Sequence, residues 1–294
     1  MQKLVYIIIP VHNRKTLTLA CLENLKTNGD LHKYQVIIVD DGSSDRTSEE
    51  VTASYPEVTI LKGDGNLWWT GAIALGMEYA CEHGAEYFIW LNDDCQLSDR
   101  TLENLVNFAS EHQSAIIGCQ GVEIENPNKI VFGGKIKTWK GYRFIQTSAS
   151  AVGSCDLLSG NVVCLPRSIV DQIGYPDSIF TPHYGGDALY LILAQKAGFS
   201  IYVDTRNLVY SLHGESKLYP QRWLLGEGKA LDILKLVFVP QSGLSWRVWL
   251  KLNWESYAFW GIVMFLKKYL SIMLITGLRF LPIKLRCKLF EGRK

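Results

Sequence analysis

Four short apolar runs alternate with helical patterns along the first third of this chain. The runs cover residues 4–9, 36–39, 58–61 and 87–91. Between them, segments such as residues 16–28 place apolar side chains at helical spacing. Strands that alternate with helices form right-handed crossover units and a mostly parallel sheet covered on both faces. The sequence therefore predicts an α/β fold with a Rossmann-like central sheet flanked by helices.

A polar segment follows each of the apolar runs. These segments are Pro10–Asn13, Asp40–Ser43, Gly63–Asn66 and Asn92–Asp94. Ligands of open α/β sheets bind beyond the carboxyl ends of the strands, so we expect a site where the segments meet. Asp93 and Asp94 are adjacent carboxylates that repel each other. A divalent cation would remove that repulsion because hard metals bind oxygen ligands, whereas a solvated turn is the alternative interpretation.

Two further features favour a ligand site at this edge. Asp40 and Asp41 precede a turn of small residues, where a carboxylate can accept a hydrogen bond from a base or a ribose. The glycines around Trp68 and Trp69 let a backbone approach a ligand closely, and the two indoles either wall a pocket or pack in the core. The first strand is not followed by G-x-G-x-x-G, and the chain lacks G-x-x-x-x-G-K-S/T, so the usual dinucleotide and NTP-hydrolase fingerprints are absent.

Four blocks of the sequence resemble family 2 glycosyltransferases, which have the GT-A fold. The blocks are Ile8–Arg14, Val39–Asp45, Gly65–Ala72 and Leu91–Asp94, in the order and spacing of the family. The resemblance extends over roughly residues 3–215. It implies a nucleotide-sugar donor, a divalent metal (Mn²⁺ or Mg²⁺) and an inverting transfer.

The resemblance also implies roles for individual residues on the donor side. The donor-binding residues would be Pro10, His12, Arg14, Asp40, Asp41, Asn66, Trp69 and Asp93. The metal motif of the family is Asp-x-Asp, and here it is Asn92-Asp93-Asp94. Asp94 is therefore the expected metal ligand, and His213 is the second, although a lone histidine is also often structural.

On the acceptor side, the family usually has Glu-Asp before a helix, and this chain has Gly186-Asp187. Asp187 is the expected general base, which takes the proton from the acceptor hydroxyl. A helix N-cap is the alternative role for Asp187. The residues expected in the acceptor cleft are His183, Tyr184 and Asn161.

The C-terminal region differs in composition from the rest of the chain. Residues 241–294 hold ten Lys and Arg against two Glu, whereas the preceding residues carry an excess of seven acidic charges. Tryptophans lie among these basic residues, and Lys267 and Lys268 divide the apolar sequence into runs too short to span a bilayer. The pattern predicts helices at the surface of an anionic membrane. A helical subdomain packed on the body, or a homodimer contact, is the alternative.

The formal net charge of +1 argues against a general nucleic-acid binder. The seven cysteines form no C-x-x-C pair, which favours buried thiols in a reducing compartment. The first apolar run is shorter than the core of a signal peptide. We therefore expect a cytoplasmic protein, peripheral at the cytosolic face of a membrane.

These observations predict an inverting glycosyltransferase of cell-surface glycan synthesis, with a lipid-linked or polysaccharide acceptor. The third block resembles that of bacterial polysaccharide enzymes, rhamnosyltransferases among them. Residues 1–240 would form the GT-A catalytic domain, with a donor half (1–115) and an acceptor half (116–240), and residues 241–294 the membrane region. The alternatives are a sugar-nucleotide nucleotidyltransferase and a membrane-bound scaffold whose site has decayed.

Overall fold

The computed structural model describes residues 3–145, 151–212, 224–225 and 229–291. The chain forms two compact units. The first consists of Met1–Pro182 and Gly186–Gly214, and the second of His183–Gly185 and Glu215–Lys294. The division of function between residues 1–240 and 241–294 stays a prediction.

The first half of unit 1 alternates strands with helices, as predicted. Its strands are β1 (Val5–Val11), β2 (Gln35–Asp40), β3 (Thr59–Lys62) and β4 (Tyr87–Leu91). Its helices are α1 (Lys15–Thr27), α2 (Asp30–Lys33), α3 (Thr47–Ser54) and α4 (Trp68–Glu82). The four strands are parallel and lie in the order β3-β2-β1-β4. Ile8, Ile38 and Trp90 are fully buried, as expected of strands covered on both faces.

The second half of unit 1 extends the same sheet. The further strands are β5 (Cys95–Leu97), β6 (Ala115–Glu123), β7 (Ile130–Phe132), β8 (Lys135–Thr138), β9 (Gly141–Phe144), β10 (Val152–Cys155), β11 (Val162–Pro166) and β12 (Ser200–Ser211). The helices are α5 (Thr101–Glu111), α6 (Ser168–Ile173) and α7 (Gly186–Lys196).

The complete strand order confirms the predicted fold class. From β4 the sheet continues through β11, β6, β12 and β10, while β5 pairs with β12 and β7 with β6. Along the eight-strand path only β10 and β11 run against the other described strands, so the sheet is mostly parallel. Strands β8 and β9 form a separate antiparallel hairpin.

The sheet opens at the carboxyl end of β1. Pairing of β1 with β4 ends at Ile8, whereas pairing with β2 continues to Val11. Proline cannot donate a ladder hydrogen bond, and Pro10 occupies a position where one of the two ladders has already ended. The loops after β1, β2 and β4 therefore border the same gap.

Unit 2 is helical. Its helices are α8 (Asp232–Phe238), α9 (Trp246–Tyr257), α10 (Phe259–Leu278) and α11 (Ile283–Glu291). Helix α10 runs without a break through Lys267 and Lys268, the residues that separate the two apolar runs of the sequence. The Lys268 ammonium lies 3.0 Å from the centroid of the Trp249 ring, a cation–π contact. By length and composition alone, α10 is apolar enough to cross a membrane.

Candidate active site

The loop after β2 is held by its own carboxylates. Asp41 is 5% exposed and accepts three backbone N–H bonds: Oδ1 from Gly65 at 2.8 Å and Leu67 at 3.1 Å, and Oδ2 from Trp68 at 2.8 Å. Asp40 accepts a bond from the backbone N–H of Ser43 at 2.9 Å. A carboxylate at the start of a helix satisfies N–H groups that have no partner in the helix, and here Asp41 does so for α4.

Glycine is required where the second and third polar segments meet. Gly42 and Gly65 have φ angles of 70° and 90°, in the left-handed region. A Cβ atom on Gly42 would lie 3.0 Å from the backbone nitrogen of Gly65. In this structure, these two glycines allow two loops of the chain to approach each other.

The loop after β1 is tied to the loop after β2. The Nδ1–H of His12 donates to the carbonyl of Asp41 at 2.6 Å. The side-chain Oδ1 of Asn13 accepts a bond from the backbone N–H of Ser44 at 2.8 Å, and the backbone N–H of Asn13 donates to the Ser43 hydroxyl at 2.8 Å. The two loops therefore form one connected edge of the site.

A single guanidinium neutralises the adjacent carboxylates after β4. Arg14 Nη1 lies 3.1 Å from Asp93 Oδ1, and Nη2 lies 2.9 Å from Asp94 Oδ2. The Thr18 hydroxyl donates to Asp93 Oδ2 at 3.1 Å, and Asp93 is 1% exposed. Burial opposes the charge of Arg14, but the two carboxylates outweigh burial and raise its pKa. The repulsion for which the sequence suggested a metal ion is thus relieved here by Arg14.

Asp94 is the more exposed carboxylate of this pair. Its side chain is 14% exposed, and the described neighbour of Oδ1 is the weakly donating Cys95 thiol at 3.9 Å. Within the described part of the chain no group of three His, Cys, Asp or Glu side chains is placed to hold a metal ion. The predicted ligand His213 lies outside the described residues. Asp94 would therefore hold a cation together with ligands from elsewhere.

Asn92, the departure from the family motif, has a defined partner. Its Oδ1 accepts a bond from Trp69 Nε1 at 2.9 Å, and its backbone N–H donates to the carbonyl of Asn161 at 2.8 Å. The Trp69 ring packs edge-on against Trp90, with centroids 5.5 Å apart. Trp69 is thus half-buried and positioned by both contacts.

Trp69 also borders the candidate base. A Cβ atom on Gly160 would lie 2.9 Å from Trp69 Cζ2 and 2.7 Å from Asp187 Cβ, so both side chains pack over this glycine. The backbone N–H of Gly160 donates to Asp187 Oδ2 at 2.8 Å. This bond joins Asp187 to another loop, whereas an N-cap would bond within its own helix. The structure therefore brings Asp187, Trp69 and Asn92 together.

Gly186, the second departure from the family motif, also has a packing reason. A Cβ atom at this position would overlap the hydroxyl of Thr70 on α4. A glutamate therefore has no room here unless α4 and α7 separate.

The remaining predicted residues differ in their placement. Asn66 is exposed, and its backbone N–H donates to Asp64 Oδ1 at 2.9 Å. His183 and Tyr184 belong to unit 2, with ring centroids 4.7 Å apart. Their role in an acceptor cleft stays a prediction.

Sequence reasoning missed two residues of this site. Thr18 lies in the first turn of α1, four residues after Arg14, which directly precedes the helix, so the spacing could have found it. Lys135 has no such signal, because strand β8 brings it near Asp187 from a distant part of the chain. Burial lowers the pKa of Lys135, and the negative charge of Asp187 partly opposes that effect.

Known proteins resemble this chain in sequence and in fold. The sequence profile described as glycosyl transferase family 2 matches residues 6–165. Galactofuranosyltransferase GlfT1 of Mycolicibacterium smegmatis is 28% identical over 178 residues, which are 58% of this chain and 58% of that relative. This chain thus spans little more than half of the relative's length.

Two solved structures have a similar fold at low sequence identity. GalNAc-T7 with UDP, GalNAc and Mn²⁺ has a TM-score of 0.61 at 12% identity, over 91% of this chain and 54% of that one. S. aureus TarS 1–349 in complex with UDP-GlcNAc has a TM-score of 0.53 at 15% identity, over 87% of this chain and 73% of that one.

Proposed function

This chain belongs to glycosyltransferase family 2, and we propose that it is an inverting enzyme of cell-surface glycan synthesis. It would move a sugar from a nucleoside diphosphate sugar to a hydroxyl of a lipid-linked or polysaccharide acceptor. The observation that carries this proposal is the hydrogen bond between Gly160 and Asp187, which holds a carboxylate beside Trp69 and Asn92. The names of two relatives, galactofuranosyltransferase GlfT1 and the minor teichoic acid biosynthesis protein GgaB of Bacillus subtilis, support transfer of a sugar to a glycan.

Asp187 is suited to the role of general base. Its Oδ2 is held by the Gly160 N–H, and Oδ1 would take the proton of the acceptor hydroxyl. As the acceptor oxygen forms its bond to the anomeric carbon, the bond from that carbon to the diphosphate breaks on the opposite face. The configuration at the anomeric carbon is therefore inverted.

A divalent cation, Mn²⁺ or Mg²⁺, would supply positive charge for the departing diphosphate. Asp94 Oδ1 would hold it, and His213 is the further predicted ligand. Arg14 already contacts Oδ2 of the same carboxylate, so it would remain near the diphosphate or exchange with the cation. The GalNAc-T7 structure with Mn²⁺ supports metal use within this fold.

The joined loops after β1 and β2 are the proposed nucleotide site. Pro10 and His12 would lie over the nucleotide, and Asp40 would hold the base. The bond from His12 to Asp41 and those between Asn13 and Ser44 support this assignment, because they fix the two loops before a donor binds.

Unit 2 would bring the enzyme to the cytosolic face of a membrane. Leu270, Met273 and Leu274 on α10 are each at least 64% exposed, and the surrounding sequence is basic. Replacing Leu270 and Leu274 with Glu should abolish binding to phosphatidylglycerol vesicles in a flotation assay. If this face forms a homodimer contact instead, the parent protein should be a dimer that does not bind vesicles. The double variant should then be a monomer.

The two alternatives lose support. Family membership disfavours a nucleotidyltransferase. The decayed scaffold was suggested by Asn92 and Gly186, and both departures have structural partners in Trp69 and Thr70.

The central test is the Asp187→Asn variant. We expect it to lower kcat for transfer by about a thousandfold, since general-base catalysis contributes between about 10² and 10⁴. Donor binding should persist. Asp171→Asn, an exposed aspartate on α6, is the matched control. Normal transfer by Asp187→Asn would show that another group removes the proton.

A further inference from the structure

The β8–β9 hairpin carries cations and aromatic rings on one face. Lys135 pairs with Phe144, and Lys137 pairs with Tyr142. Alternate residues of a strand share a face, and so do directly opposite residues of paired strands. The Lys135 ammonium lies 5.2 Å from the centroid of the Phe144 ring, which agrees with this arrangement. We call these four residues the acceptor face; Arg143 lies on the other face.

The hairpin is held in a defined conformation. The Thr138 hydroxyl donates to the carbonyl of Gly141 at 2.7 Å and accepts a bond from the Lys140 N–H at 3.2 Å. The backbone N–H of Lys137 donates to Asp156 Oδ2 at 2.6 Å. At the tip, Trp139 is 68% exposed, and the Lys140 ammonium lies 4.8 Å from its ring centroid. A ligand would therefore meet a preformed surface.

The hairpin is positively charged within an acidic part of the chain. Residues 135–144 include three lysines and one arginine and no acidic residue, whereas residues 1–240 as a whole carry an excess of seven acidic charges. A concentrated patch of one sign attracts ligands of the opposite sign. The charge distribution therefore favours an anionic ligand at the hairpin.

The root of the hairpin is next to the candidate base. The backbone N–H of Ser159 donates to the carbonyl of Gly133 at 3.3 Å, and the N–H of Gly160, the next residue, donates to Asp187. Lys135 begins the hairpin two residues after Gly133 and is close enough to Asp187 for their charges to interact. A molecule bound along the acceptor face would thus extend toward the Asp187 carboxylate.

We propose that the acceptor face binds a glycan acceptor that carries phosphate groups. The ammonium group of Lys137 would pair with phosphate oxygens, and the rings of Tyr142 and Phe144 would cover apolar faces of the sugar. This assignment rests on the proposed transferase function and adds the chemical class of its acceptor. The glycan, and not a lipid headgroup, is the occupant we favour, because the face leads to the base that the acceptor hydroxyl must reach.

The test compares Lys137→Gln with Arg143→Gln in the full chain. Both variants remove one exposed positive charge from the hairpin, but only Lys137 lies on the acceptor face. The probes are a poly(glycerol phosphate) oligomer and an uncharged dextran oligomer, with binding measured by isothermal titration calorimetry. We expect Lys137→Gln to weaken binding of the phosphate oligomer about tenfold and Arg143→Gln to change it by less than about twofold. Dextran should bind at least about tenfold more weakly than the phosphate oligomer.

Three results would overturn the proposal. Equal weakening in the two variants would mean that the whole hairpin attracts anions without a defined face. Dextran binding as tight as that of the phosphate oligomer would remove the role of charge. Binding to phosphatidylglycerol vesicles that depends on Lys137 would assign the face to lipid headgroups. Binding of UDP with Mn²⁺, followed by thermal shift, should be the same in all three proteins, and its absence in the parent protein would count against the transferase function itself.

Discussion

Two pairs of adjacent aspartates follow neighbouring parts of the same sheet, and the chain stabilises them differently. Asp40 and Asp41 accept bonds from backbone N–H groups of fixed loops. Asp93 and Asp94 share the guanidinium of Arg14, which is 31% exposed. Backbone donors cannot leave without unfolding the loop, whereas a side chain can rotate away. The first pair is therefore part of the framework, and the second is suited to an exchange of partners.

Removing the framework carboxylate should have the largest effect. Asp41→Ala would leave three backbone N–H groups at the start of α4 without their acceptor. We expect the free energy of unfolding to fall by about 4 kcal/mol, measured by urea denaturation. Asp64→Ala in the same loop is the exposed control. A loss below about 1 kcal/mol would show that the loop does not depend on Asp41.

Removing the guanidinium should cost less stability and should improve metal binding. Arg14→Gln removes the guanidinium that pairs with the buried Asp93 carboxylate, so we expect a loss of about 2 kcal/mol at neutral pH. Mn²⁺ binding without donor, followed by electron paramagnetic resonance, should tighten because Asp94 is released. The control is Arg100→Gln, which removes one partner of an exposed ion pair. Unchanged Mn²⁺ affinity in Arg14→Gln would contradict the proposed exchange of Arg14 for a cation.

Asp30 is a buried acid with a different environment from both aspartate pairs. Burial raises the pKa of Asp30 to about 6, while Lys33 partly opposes that shift. The folded state therefore binds the proton more tightly than the unfolded state, so stability falls as the pH rises from about 4 to about 6. Asp30→Asn should stabilise the protein by about 2 kcal/mol at pH 8 and have little effect near pH 4. Thermal melting curves of both proteins at the two pH values check this. Equal shifts in melting temperature at pH 4 and pH 8 would show that Asp30 does not titrate between them.

The order of strands and helices could be predicted because it depends on local pattern. Ile8, Ile38 and Trp90 lie in apolar runs whose lengths and separations indicate strands of a parallel sheet. The edge of the sheet that carries the site follows from the same pattern, since polar residues come after each run.

The partners of the site residues could not be predicted, because they join distant segments. Arg14 meets Asp94 across 80 positions of sequence, and the Asp187 carboxylate meets Gly160 across 27. The sequence motif indicates Asp94, but nothing in the sequence indicates that Thr18 and Arg14 contact its neighbour Asp93. Residue types at strand ends indicate where a site lies, but folding decides which group each carboxylate contacts.

The shared guanidinium has a consequence for the order of events in the cell. In the proposed mechanism, a free cation would have to compete with Arg14 for Asp94, whereas a cation already chelated by a donor diphosphate would bring a second attachment with it. The pair Asp93-Asp94 would then respond to the coincidence of metal and donor and not to metal alone. Fluctuations in free magnesium or manganese would leave such an enzyme idle until its sugar nucleotide is supplied.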